Sequence, residues 1–134
     1  RDFTPGKPRH GYVVSQGASS TVNLVKILPR LEEAGINVKI MKTGLLEAER
    51  IARLGKRAGL RLMIGSMMES PLASTASAHL AAGLGFFDFV DLDAPMFLSE
   101  PITDRIFPGR DGCYDLQSVR GGIGVRPVRG WIPA

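Results

Sequence analysis

With 134 residues, 44% of them hydrophobic and 22% charged, the chain fits one ordinary globular domain with a modest core, and no apolar run approaches the roughly 20 residues that span a bilayer. The net charge of +4 is scattered, and the one cluster at helical spacing, Arg53, Lys56 and Arg57, has no interleaved aromatics, so it reads as a solvated face rather than a nucleic-acid surface. A single Cys113 excludes an internal disulfide and the common cysteine-based zinc sites, which makes a reduced cytoplasm the natural compartment.

The chain opens on Arg1 rather than Met, which suggests a truncated or processed product, and residues 1–11 are loop-like, with no apolar signal-peptide core. A short strand is expected at residues 12–15. Ser19, Ser20 or Thr21 can cap a helix running to about Ala34, with Leu24, Ile27, Leu28 and Leu31 on one face and Pro29 as a defect. INVKIM (36–41) then reads as a buried parallel strand. Gly44 marks a turn, and residues 45–57 form an amphipathic helix with Leu46, Ile51, Leu54 and Ala58 inward, ended by Gly59. LRLMI (60–64) is a second strand, and residues 65–70 are a loop. Pro71 opens a small-residue helix to about Ala82. FDFVDL (87–92) is a third strand, stopped by Pro95. Beyond Leu98 the pattern is turn-rich, with short antiparallel strands expected at 113–116 and 124–128 in a tail that packs on another part of the protein.

Lys39, Gly65 and Asp91 fall at corresponding strand ends, each 26 residues from the next. That period means repeated βαβ units and a parallel sheet. Eight such units need roughly 200 residues or more, so the chain is expected to be α/β, either the C-terminal portion of a (β/α)-barrel, about its last three to four units plus a short antiparallel tail, or a small doubly wound sheet on its own. In a barrel, strand C-terminal ends carry the active site.

Lys39 sits near such an end between apolar neighbours. It is either a lysine snorkelling from an edge strand or a functional ammonium. A desolvated lysine can remove or return a proton next to a carbonyl. Asp91 and Asp93 alternate with Val90 and Leu92, so in a continuous strand both carboxylates share a face, about 6.6 Å apart. Two like charges there call for a cation, either a metal or a substrate ammonium. Asp88 falls on the opposite face and is expected to pair with a surface base. Ser66 and Glu69 share the rim, although Glu69 can equally cap the helix at Pro71. His79, between Ala78 and Leu80, reads as a packed helix histidine, and Met63, Met67 and Met68 as packing. GGIG (121–124) lacks the following helix of a phosphate loop.

The blocks NVKIMKTG (37–44), AGLRLMIGSMMES (58–70), ASAHLAAGLG (76–85) and DFVDLDAP (88–95) resemble the enolase superfamily. Within it the resemblance is to the mandelate racemase/muconate lactonizing enzyme group, most closely its dipeptide epimerases of the L-Ala-D/L-Glu type. It implies an isomerase performing Mg²⁺-assisted 1,1-proton transfer at the α-carbon of a dipeptide residue. Lys39, rather than Lys42, would be one of two acid/base lysines. Asp91 and Asp93 would hold the substrate ammonium, and Ser66, the Met68 backbone and Glu69 would line the pocket. The YDLQSVRGGIGV segment (114–125) resembles the family's C-terminal segment, which folds back on an N-terminal capping domain.

The resemblance also shows what this sequence lacks. The partner lysine motif and the metal-ligating carboxylates are absent; the turn expected to carry one of those ligands reads Ser15, Gln16, Gly17, Ala18, and Leu45 replaces the second glycine after Gly44. The chain then divides into a divergent segment 1–17, a partial barrel 18–98 and a tail 99–134. Taken alone it is expected to lack a metal site and turnover. Its partners would be a small dipeptide, with no nucleic acid or membrane and with a homo-oligomeric parent left open. Two alternatives are a muconate cycloisomerase or o-succinylbenzoate synthase type of reaction, which gives no reason for the Asp91-x-Asp93 pair, and a non-catalytic truncated remnant.

Overall fold

The structure is a computed structural model that describes residues 35–99, 102–104 and 112–128. The expectations for residues 1–34, including the strand at 12–15, the helix ending near Ala34 and the Gln16 turn, lie outside these residues. No helix among the described residues is long and apolar enough to cross a membrane.

β1 (Gly35–Val38) stops before the expected end at Met41. The carbonyl of Lys39 is taken at 3.0 Å by the Lys42 N–H rather than by a neighbouring strand. Residues Ile40–Thr43 therefore wind into a short helical turn, α1, closed by Gly44 at φ +73°. α2 (Leu45–Arg57) has the expected bounds and only part of the expected face: Ile51 and Leu54 pack inward. Its buried residues are Ala48, Ile51, Ala52 and Gly55, the three-and-four spacing of one helical stripe, while Leu46 is 74% exposed and Ala58 is exposed. Small residues face the sheet because the approach is close: a Cβ on Gly55 would stand 2.9 Å from Leu62 Cδ2 and 3.1 Å from Ile36 Cδ1.

β2 (Arg61–Gly65) is displaced one residue from the expected strand. α3 (Pro71–Leu84) is capped by Ser70, whose Oγ accepts from the Ala73 N–H, and it ends at left-handed Gly85, beyond the expected Ala82. β3 (Phe89–Asp91) is shorter than expected, and a 3-10 turn, Ala94–Phe97, follows with Pro95 in its first positions.

The three strands are parallel in the order β1-β2-β3. Val38 pairs with Ile64, and Gly65 pairs with Asp91, so the 26-residue period is the register of the sheet. Ile36 and Val38 pack with Ala48, Ile51 and Leu54 of α2, and Ile64 packs with Ala78 of α3 and with Leu92. Strand alternation then puts Asn37, Lys39, Met63, Gly65, Phe89 and Asp91 on the face opposite the helices.

The tail departs from expectation. Residues 113–116 form no strand, because Asp115 Oδ1 accepts from the N–H groups of Gln117 and Ser118, both at 3.2 Å, and bends the chain. The 124–128 strand is reduced to one antiparallel bridge between Thr103 and Pro127; proline offers no N–H to extend it. Tyr114 and Leu116 instead pack on the Ile64, Ala78 and Leu92 cluster.

Candidate active site

Three strand ends are tied to one another through Ser66. The Lys39 Nζ donates to the Ser66 carbonyl at 2.5 Å. Ser66 in turn donates twice to the Asp91 carbonyl, from its N–H at 2.9 Å and from its Oγ at 3.2 Å. The half-buried ammonium of Lys39 thus reaches across β2 toward β3, on the face away from the helices. Lys42 projects from exposed α1 and takes no part in this chain of bonds.

Asp91 and Asp93 are both exposed, with buried Leu92 between them. The strand that would hold them in simple alternation stops at Asp91. Asp93 has turned to φ −86°, ψ −9° at the start of the 3-10 turn, and its carbonyl accepts from the Met96 N–H at 2.8 Å. The two carboxylates stand at the C-terminal end of the sheet through a strand end and a turn, not through two more residues of strand.

Glu69 is only 4% exposed. Its Oε1 accepts from the Met67 N–H at 3.4 Å. It is not the helix cap, a role filled by Ser70. Burial raises its pKa above the usual carboxylate value, opposed by the backbone N–H groups of Met67 and Met41 and by the charge of Lys39. Met68 is 73% exposed on the rim. His79 Nε2 lies 3.1 Å from the Ile123 carbonyl and ties α3 to the tail.

Two roles were not expected. Among the described residues Asp88 pairs with no surface base: its Oδ2 accepts from the Leu62 N–H at 2.7 Å, and its own N–H donates to the Leu62 carbonyl at 2.8 Å. Tyr114 donates its hydroxyl to the Leu92 carbonyl at 2.6 Å. Its pKa is pushed up to about 12, chiefly by burial and further by the charges of Asp93 and Glu69. The only prior sign of Tyr114 was its place in the tail block; no local pattern links it to Leu92.

The described residues do not fit a Mg²⁺ site. No group of three His, Cys, Asp or Glu side chains among them is arranged to hold a metal ion. An octahedral oxygen set is what that ion requires, and Glu69 is turned inward beside an ammonium.

Residues 24–130 match the model of the family described as enolase C-terminal domain-like. A hydrophobic dipeptide epimerase of Citrifermentans bemidjiense is 50% identical over 94 residues, which cover 70% of this chain and 26% of that protein. The crystal structure of a mandelate racemase/muconate lactonizing enzyme from Sorangium cellulosum is 46% identical with a TM-score of 0.74, covering 83% of this chain and 31% of that one. A dipeptide epimerase from Methylococcus capsulatus, solved with Mg and the dipeptide L-Arg-D-Lys, is 36% identical with a TM-score of 0.50, covering 53% of this chain and 21% of that one. The chain therefore spans less than a third of the length of each of these proteins. It belongs to the enolase C-terminal domain-like family, in the mandelate racemase/muconate lactonizing enzyme group, where the members similar to it include dipeptide epimerases.

Proposed function

We propose that this chain supplies one acid/base lysine and the ammonium-binding end of a dipeptide epimerase, as the last units of a β/α-barrel followed by a tail. The observation that carries the reading is the bond path from Lys39 through Ser66 to the Asp91 main-chain carbonyl, which ties the lysine ammonium to the strand end that bears Asp91. As a neutral amine, Lys39 removes the α-proton from one epimer of the substrate; as the ammonium, it returns that proton in the reverse direction. Asp91 and Asp93 bind the free α-ammonium of the dipeptide and so fix which carbon faces Lys39. Ser66 and Met68 line the pocket. Glu69 is turned inward, within reach of the charge of Lys39. The ligands of a Mg²⁺ ion of the kind bound in the Methylococcus enzyme, and the second lysine, would be supplied from outside these 134 residues, so the reaction is that of a longer protein.

The test is α-proton exchange of dipeptides in deuterated water, catalysed by the complete protein that carries this sequence. Lys39→Ala should slow exchange about 10²–10⁴-fold. Undiminished exchange from both epimers would show that the proton is handled elsewhere. A dipeptide panel run beside muconate-type acids separates this reading from a cycloisomerase. Tight Mg²⁺ binding by the 134-residue chain in a calorimetric titration would contradict the placement of the metal ligands.

A further inference from the structure

We infer that Tyr114 is a positioning residue for the Asp91 and Asp93 pair, and that through the hydroxyl bond to Leu92 the tail sets affinity for substrates bearing a free ammonium. This rests on the reading of that pair given above. β3 pairs with β2 only as far as Asp91, so the next backbone carbonyls have no strand partner. Each of the three carbonyls at this end has a tether of its own. Asp91 is held by Ser66, Leu92 by the Tyr114 hydroxyl, and Asp93 by the Met96 N–H. The first tether belongs to the neighbouring βα unit and the third to the local turn. Only the middle one comes from the tail, 22 residues further along.

The peptide that Tyr114 grips joins the two aspartates. A rotation there would swing one carboxylate away from the other, and the separation of the pair decides how well it surrounds an ammonium. Tyr114 is itself well anchored. Its ring packs with Leu116 on Ile64, Ala78 and Leu92, the Asp115 turn fixes the chain just after it, and His79 meets the tail again at Ile123. A residue that only filled this apolar cluster would need no hydroxyl, since phenylalanine would pack equally well. The bond to Leu92 is therefore the part that the inference concerns.

Tyr114→Phe in the complete protein separates the two roles, because it keeps the ring and removes only the hydroxyl. KM for a dipeptide with a free α-ammonium should rise about tenfold, the equivalent of one hydrogen bond of about 1.4 kcal/mol, while kcat stays within about twofold. Amide hydrogen exchange should quicken at residues 92–97 and not in β1 or β2. Unchanged KM overturns the inference. So does a fall in kcat with faster exchange throughout the sheet, which would mark a purely structural tyrosine. If the unsubstituted protein exchanges the α-proton of no dipeptide, the functional reading fails and the ammonium role falls with it; amide exchange at 92–97 then still decides whether the hydroxyl holds this turn.

Discussion

The side-chain amide of Asn37 lies where a Cβ on Gly65 would stand: that atom would meet Asn37 Oδ1 at 2.6 Å and Nδ2 at 3.0 Å. Asn37 pairs with Met63 across the sheet, and its buried Oδ1 has no hydrogen-bond partner among the described residues. The amide is held by shape, one strand layer beneath the Lys39 end. Gly65 is thus required for the space it leaves free.

Gly65→Ala should cost about 1–3 kcal/mol, the usual penalty for overpacking a well-filled site. Adding Asn37→Ala should return much of that loss, because the clash needs both side chains. Urea unfolding of the four proteins of the cycle measures this. Additive losses would mean that the strain at Gly65 lies elsewhere.

Asp88 makes a second prediction. Its Oδ2 is the partner of the N–H of Leu62, a residue with no exposed surface. Asp88→Ala strands that N–H and should destabilise the chain by about 1.5–3 kcal/mol, the range for hydrogen bonds to charged groups. The loss should persist in about 1 M salt, where exposed ion pairs are screened. A loss that disappears with salt would point back to a surface ion pair.

The sheet was legible because three β-branched, apolar runs recur at a fixed spacing, and that spacing became the register joining Val38 to Ile64 and Gly65 to Asp91. The strand ends were less legible. They depend on competition for carbonyls, as at Lys39, where Lys42 wins. The inward face of α2 is legible only in part: Ile51 and Leu54 pack inward, but close packing selects Ala48, Ala52 and Gly55 over the larger Leu46, and hydrophobicity alone points the other way. In the site, Lys39, Ser66 and Asp91 could be found from their places at strand ends. The inward turn of Glu69 and the reach of Tyr114 to Leu92 could not, since both arise from contacts between segments remote in sequence.

The raised pKa of Glu69 gives a direction for acid dependence. Between its ordinary value of 4.5 and the raised folded value, the folded chain keeps a proton that the unfolded chain has released. Stability from this group is therefore fully present below pH 4.5 and is lost as pH rises through the folded pKa. Glu69→Gln does not titrate. Its Tm relative to the parent should improve on passing from acid to neutral pH. A Tm difference independent of pH would show that the carboxyl is better solvated than its burial implies.

Tyr114 provides the corresponding test at alkaline pH, one that needs no catalytic assay. Below pH 10.0, the ordinary tyrosine value, folded and unfolded chains both hold the phenolic proton. Between there and the folded value of about 12, the unfolded chain releases it while the folded chain retains it. Proton release then favours unfolding, so the contribution of this group to stability falls as pH rises across that window. Tyr114→Phe lacks the hydroxyl and its titration, whereas every other titrating group, Tyr12 included, is common to both proteins. The Tm advantage of the parent over Tyr114→Phe should therefore be largest below pH 10.0 and should shrink toward pH 12. A constant advantage would mean that the hydroxyl titrates alike in the folded and unfolded chains, against what its half-buried bond to the Leu92 carbonyl implies.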